Sequence, residues 1–515
     1  MTTLIRDQPS RSLLPAGAGI MLGVEAALLA LSILLAWFLS AKFVSPWWSF
    51  ASLFHYLWMV TLLFRIEPRA TVLALPELVS RSSTVVALIF VEFGSKIPEL
   101  ATVGSAGPYS SAYVFYMLVL FASIVTVFRL VAGPPDRRKT GLLTPLFDRF
   151  ANWIALGVLA LVGLILLWLL YRGATTGFPL LAGIDRFVYR RLMSDKITVY
   201  SLNFKFVILF ALGMIVFRLP TMKAVKVAAG VAAASLMATY FLFGDKFFTQ
   251  LVALAGFLAP YLYMNPDKIR RYLALYVAGA AAALALVFSV TWYIYSNSGT
   301  LTTAATMERL SGRLVGQGEL WYLQARIGSP LLKWESSFVR RNIDALSVKQ
   351  IDLYAVQESL GPHYFSNRYA PDRLRASLMR NAGSVTYTQA LEALGLATFG
   401  WIGLACMMMV AGTILALLGT YLAFAIRSRS IISAIFAAYI TIQFRYVLSQ
   451  GTPWVLFSIF SLKWVAVIVA IEIGLYMLGM SQRRPTRFGS RLPAGPRGNP
   501  RHVGPIDHMV SRPAR

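Results

Sequence analysis

The stretch NWIALGVLALVGLILLWLLY, Asn152–Tyr171, carries no charged side chain and no proline. An α-helix rises 1.5 Å per residue, so 20 apolar residues span the ~30 Å hydrocarbon core of a bilayer, and these read as one crossing. Working outward, comparable runs are expected at 17–40, 47–64, 71–93, 112–131, 203–217, 225–243, 248–265, 271–295, 397–425, 431–448 and 454–480. With 152–171 that makes about twelve transmembrane helices, an all-α polytopic membrane protein. The whole chain agrees with this reading: of 515 residues 57% are hydrophobic and 14% charged, and the mean hydropathy is +0.64. Such a balance excludes an ordinary water-soluble enzyme. The first run is longer than a signal-peptide core and is not closely followed by a small-residue cleavage pattern, so it reads as an anchor.

Lys and Arg number 48 against 22 Asp and Glu, a formal net charge of +26. On so apolar a chain this excess points to a membrane face and not to nucleic acid. Basic residues in short loops mark the cytoplasmic side. Arg65, Arg69, Arg137, Arg138, Lys139 and Arg149 fall together there, as do Lys223, Lys226, Lys268, Arg270, Arg271, Arg427 and Arg429. Both termini are then cytoplasmic, and the tail 481–515, with eight Arg against Asp507, reads as a disordered basic extension. The run 71–93 holds Pro76 and Arg81, which a lipid-facing helix would not tolerate, so it reads as a helix buried in protein.

This gives a division into a bundle over 1–296 that contains a small outer loop at 172–202, a large outer loop over 297–396, three last helices over 397–480, and the tail. Both outer loops are basic: 172–202 has five basic and two acidic residues, and 297–385 has eleven and seven. Two basic outer loops point to an anionic ligand at the outer face, with solvated surface as the plain alternative. The segment from Val385 runs through Gly395 and Gly400 into the tenth span, and reads as a short helix lying on or dipping into the bilayer. Near Met307, a run rich in Ser and Gly includes Arg309, Arg313 and Glu319. It reads as a turn that approaches phosphate, with Trp321 and Tyr322 as faces for sugar rings.

A single cysteine, Cys406, and four scattered histidines make a metal centre improbable, and no GxxxxGK[ST] or GxGxxG stands in a nucleotide-binding context. No metal and no cofactor are therefore expected. What remains is arginine-stabilised departure of an anionic group with one general base, Glu319 first and His363 second. Among intramembrane charges, Arg445 near the outer end of its span could reach a diphosphate, with snorkelling as its alternative, and Lys205 reads as a snorkelling anchor.

The outer segment GFPLLAGIDRFVYRR (Gly177–Arg191), together with the long late loop ending in GSVTYTQALEALGLATFGWIG (Gly383–Gly403), resembles the Wzy-type O-antigen or oligosaccharide repeat-unit polymerases of the GT-C superfamily. The resemblance implies a glycosyltransferase of the bacterial inner membrane with its active site on the periplasmic side. It implies undecaprenyl-diphosphate-linked oligosaccharides as substrates and a Wzz-type chain-length regulator as a partner. Arg186 and Arg190 match the first-loop arginines that would hold diphosphate, and Arg313 and Arg380 are candidates by loop position. An O-antigen ligase shares this layout, and a non-enzymatic lipid-linked oligosaccharide flippase or transporter would account for the same composition. A flippase would place its charge in the membrane interior, whereas a polymerase would place it in the outer loops.

Overall fold

The structure is a computed structural model, and it describes residues 47–97, 102–132, 144–182, 195–245, 247–269, 314–337, 390–451 and 459–481, with a few single positions between them. Helix dominates these residues. Helices α1 (Trp47–Ile66), α2 (Pro68–Leu73) and α3 (Leu75–Glu92) are followed by the two-residue antiparallel strands Lys96–Ile97 and Thr102–Val103. Then come α4 (Tyr109–Ala132), α5 (Thr144–Thr176), α6 (Lys196–Asn203), α7 (Lys205–Phe217), α8 (Lys223–Leu242) and α9 (Phe247–Met264). The late elements are α10 (Glu319–Ile327), α11 (Ala390–Ser428), α12 (Ile431–Gln450) and α13 (Ile459–Ser481).

Six helices among the described residues are long and apolar enough to cross a membrane, and the pair α6 and α7, bent by 63° at Phe204, makes a seventh if counted as one span. The expected count of about twelve is thus not what these residues carry. The runs at 17–40 and 271–295 and the tail lie almost wholly outside the described residues, and α9 and α13 supply only shorter apolar helices. The run at 71–93 divides into α2 and α3 around Ala74, and α3, with the charged residues Glu77, Arg81 and Glu92, is not among the six. Leu161, Leu164 and Leu167 of α5 and Val227 and Val231 of α8 face outward, as lipid-facing residues do in a multi-pass membrane protein.

Several charged contacts lie at the two ends of the bundle. At one end Arg429 pairs with Asp148 at 2.8 Å, Arg129 lies 3.6 Å from Glu67, and Arg218 donates to the carbonyl of Ile426. At the other end Ser110 of α4 donates to Glu92 through both its backbone N–H and its hydroxyl, and Ser49 of α1 donates to the same carboxylate. There too Lys205 pairs with Asp245 at 2.6 Å and donates to the carbonyl of Leu202, which the break at Phe204 leaves without a helical partner. Lys205 is buried, so it is a bridge between helices and not the snorkelling anchor expected. Asp195 caps α6 and holds Arg172 at 3.1 Å. Burial works to raise the Asp195 carboxyl, but hydrogen bonds from Thr198 and Trp168 outweigh it and leave the group below the ordinary carboxylate range.

The chain reverses inside α11. Gly400 adopts φ 73° and ψ −171°, a region that only glycine enters readily, and splits the element into Ala390–Phe399 and a longer second half. A Cβ on Gly395 would lie 2.8 Å from Leu404 Cδ1 and 2.2 Å from Met407 Cε. Residues nine apart on a straight helix are separated by about 13 Å, so this contact requires the two halves to fold back on each other. The freed backbone groups are satisfied by a strap at 330–335: Ile402 N–H donates to Leu331 O, Lys333 N–H to Phe399 O and Glu335 N–H to Thr398 O. Eight of the ten residues of the first half are buried against protein.

Candidate functional site

The reversal at Gly400 carries Glu392 into the middle of the bundle, where it meets three further charges. On α3, Glu77 and Arg81 are four residues apart and share one helical face, and an Arg81 Nη1 hydrogen bond to Glu77 closes the pair. Arg81 Nε donates to Glu392 Oε1 at 2.9 Å. From α12, Arg445 approaches Glu77 Oε1 at 3.5 Å. Arg81, Glu392 and Glu77 are 1%, 2% and 3% exposed, and the Arg445 side chain retains 15%.

Two guanidiniums and two carboxylates sum to zero formal charge, which is the condition for keeping them out of water. Isolated ions in an apolar medium are strongly disfavoured, and pairing offsets only part of that cost. An all-apolar packing would serve stability as well, so charges placed here read as a functional site by default. The pairing is also incomplete. Glu77 Oε1, Arg81 Nη2, Glu392 Oε2 and Arg445 Nε are buried atoms without a hydrogen-bond partner. A carboxylate facing an arginine can occupy the Nε–Nη2 edge with both oxygens, whereas Glu392 uses one oxygen on one nitrogen.

A polar path leads from this network to the late loop. Tyr113 of α4 is buried within electrostatic reach of Arg81 and Glu392. Thr84, one turn from Arg81 on α3, donates to the carbonyl of Gln317. Glu319 stands two residues further, in the first turn of α10, where a carboxylate suits the positive end of the helix dipole. Glu319 is 1% exposed, which fits a group shut inside protein better than a residue on an open loop.

Trp321 and Tyr322 do not offer the sugar-facing surfaces expected of them. Both are fully buried. Trp321 meets Tyr113, Tyr116 and Trp401 edge to face and donates its indole N–H to the carbonyl of Tyr109 at 2.8 Å. Tyr322 packs edge to face on Tyr109 and shares a 3.0 Å hydroxyl contact with Ser105. The apolar face of α10 that looked like a stacking platform is the surface by which the helix docks between α4 and α11. Arg186, Arg190, Arg313, Arg380 and His363 lie outside the described residues.

Of the sequence-derived candidates, then, Arg445 lies in the network and Glu319 stands at the end of the path that leads from it. Glu77, Arg81 and Glu392 were not among those candidates. A local signal did exist: a Glu and an Arg at i and i+4 inside an apolar run pair with each other and together mark a buried face. Glu392 carried no comparable mark, because only the reversal at Gly400 shows where it goes.

Residues 357–465 match a family described as a family of unknown function (DUF6418). That segment contains Glu392, Gly400 and Arg445, two of the four charged residues and the glycine that places one of them. No curated protein and no solved structure matches the chain.

Proposed function

We propose that the chain is a metal-independent membrane glycosyltransferase that polymerises undecaprenyl-diphosphate-linked oligosaccharide repeat units at the periplasmic face of a bacterial inner membrane. In this reaction a sugar hydroxyl of the incoming repeat attacks the anomeric carbon of the growing chain. The bond from that carbon to the lipid diphosphate breaks, the diphosphate leaves with the bonding electrons, and a base takes the hydroxyl proton. Arginines stabilise the departing charge, since bidentate guanidinium contacts strengthen as charge develops on the bridging oxygen.

The observation that carries the reading is Arg445, a guanidinium five residues from the C-terminal end of α12, 3.5 Å from one carboxylate and still 15% accessible. Arg186, Arg190, Arg313 and Arg380 belong to the proposal as outer-loop contacts, and Glu319 and His363 as candidate bases. The lipid-linked oligosaccharide, surrounding lipid and a Wzz-type chain-length regulator are the partners the reading requires, with an O-antigen ligase as its close enzymatic variant. In cells, Arg445→Ala should lower the amount of protein in the membrane, because it leaves a buried net negative charge, and the protein that remains should accumulate single-repeat glycolipid. Normal polymer in that variant would remove Arg445 from the reaction.

A second reading is favoured by one observation. The charged network lies within the bundle and beside a reversed helix, which is the placement expected of a lipid-linked oligosaccharide flippase or another transporter. The two readings part on whether a new glycosidic bond is made.

A further inference from the structure

We infer that the Glu77–Arg81–Glu392–Arg445 network is a proton-coupled oxyanion exchange site: an entering phosphate-class anion takes the guanidinium contacts now held by Glu392, and Glu392 leaves by accepting a proton.

The inference starts from charge. The four groups are neutral as a set, and three of them are almost wholly buried. An anion added to this set would leave uncompensated negative charge in an apolar interior, which is prohibitive unless a positive charge is gained with it. The arginines are already charged. A proton on one of the carboxylates is the gain available within the network.

The pairing selects which carboxylate. Each carboxylate accepts one hydrogen bond from Arg81 and has one oxygen without a hydrogen-bond partner, but Glu77 has a second guanidinium, Arg445, at 3.5 Å, whereas Glu392 has Arg81 alone. Glu392 Oε2 has no hydrogen-bond partner, nor has Arg81 Nη2 on the same guanidinium edge. An oxyanion with two oxygens on the Nε–Nη2 edge would replace one bond with two and satisfy that nitrogen. Arg445, whose Nε makes no hydrogen bond and lies 3.5 Å from Glu77, is the second guanidinium of the network and keeps partial accessibility. Protonated Glu392 then becomes a donor where it had only accepted.

Tyr113 of α4 lies within electrostatic reach of Glu392. Among the described residues, the elements packed around the Glu392 helix also carry Tyr116 of α4, Glu319 and Arg326 of α10, and Lys333 and Glu335 of the strap, where the Lys333 ammonium donates to Ala397 O and pairs with Glu335 at 2.8 Å. Of the two further carboxylates among these described groups, Glu335 is already paired with Lys333, so Glu319 is the competing proton acceptor that a test must separate.

The choice of a phosphate-class anion rests on the proposed polymerase reading; the proton coupling does not. The test uses the full chain in nanodiscs of phosphatidylcholine, titrated calorimetrically with inorganic diphosphate in two buffers of different ionisation enthalpy. The wild type should take up about one proton per diphosphate bound, and its affinity should rise about tenfold for each unit fall in pH through the range of uptake. Glu392→Gln should bind diphosphate with no uptake and a flat pH dependence, and Glu319→Gln should leave the proton count unchanged. Arg81→Gln should weaken binding at least tenfold. The wild-type proton count decides the matter even if a variant fails to fold. No diphosphate binding, binding without proton uptake, or full uptake in Glu392→Gln would overturn the exchange. Polymer formed in cells by a protein that shows no uptake would sink the exchange and leave the polymerase reading standing, and uptake without polymer would do the reverse.

Discussion

Arg81 and Glu392 stand 311 positions apart in the chain and are joined by a 2.9 Å hydrogen bond with both side chains 2% exposed. The link ties α3 to the reversed first half of α11, and it exists only because Gly400 turns that half back into the bundle. Sequence position, backbone conformation and buried charge thus converge on one contact.

Removing one member of this contact strands its partner. Arg81→Met leaves Glu77 and Glu392 facing Arg445 alone, and should cost about 3–5 kcal/mol of stability. The double change Arg81→Met with Glu392→Leu removes equal and opposite charge and should recover much of the loss. Thermal unfolding of the three purified proteins in one detergent reads this directly. A single variant as stable as the wild type would mean that the pair is not closed in the membrane.

Gly400 cannot be replaced quietly. Its backbone conformation costs a residue with a Cβ roughly 1–3 kcal/mol, and that Cβ would sit 2.4 Å from the carbonyl of Pro330. Gly400→Ala should therefore lower the melting temperature and open the strap at 330–335 to protease. Gly474→Ala is the matched control, since a Cβ there meets nothing within 4 Å and its helix gains propensity. Equal behaviour of the two variants would count against the reversal.

Trp321 separates packing from recognition. With its ring enclosed by three aromatic neighbours and its N–H bonded to Tyr109, Trp321→Ala should cost about 3–5 kcal/mol of stability. Protein that survives the substitution should keep its apparent affinity for substrate. A raised KM with an unchanged melting temperature would restore the sugar-stacking role.

Much of this was legible in the sequence. Apolar runs of about 20 residues showed a helical membrane protein, and Pro76 and Arg81 marked the run at 71–93 as one buried in protein, which is where Arg81 lies. The segment through Gly395 and Gly400 was legible as a short helix leading into the tenth span. The reversal was not legible, because nothing local distinguishes a glycine that continues a helix from one that turns it through an extended break. Trp321 was misread for a related reason: an aromatic residue in a polar loop presents the same pattern whether its ring faces a ligand or the protein core. Glu392 was passed over because its partners lie more than 300 residues upstream, a separation that no spacing rule covers.

The central claim, that this chain makes a glycosidic bond between lipid-linked repeats, is tested most directly by the purified protein in liposomes supplied with undecaprenyl-diphosphate-linked repeat units, without nucleotide and with chelator present. The account predicts a ladder of products of two and more repeats, formed roughly a hundredfold more slowly by Arg445→Ala, the rate equivalent of about 3 kcal/mol of lost transition-state stabilisation. Single-repeat lipid that moves between leaflets with no joined product would contradict it and make the protein a transporter.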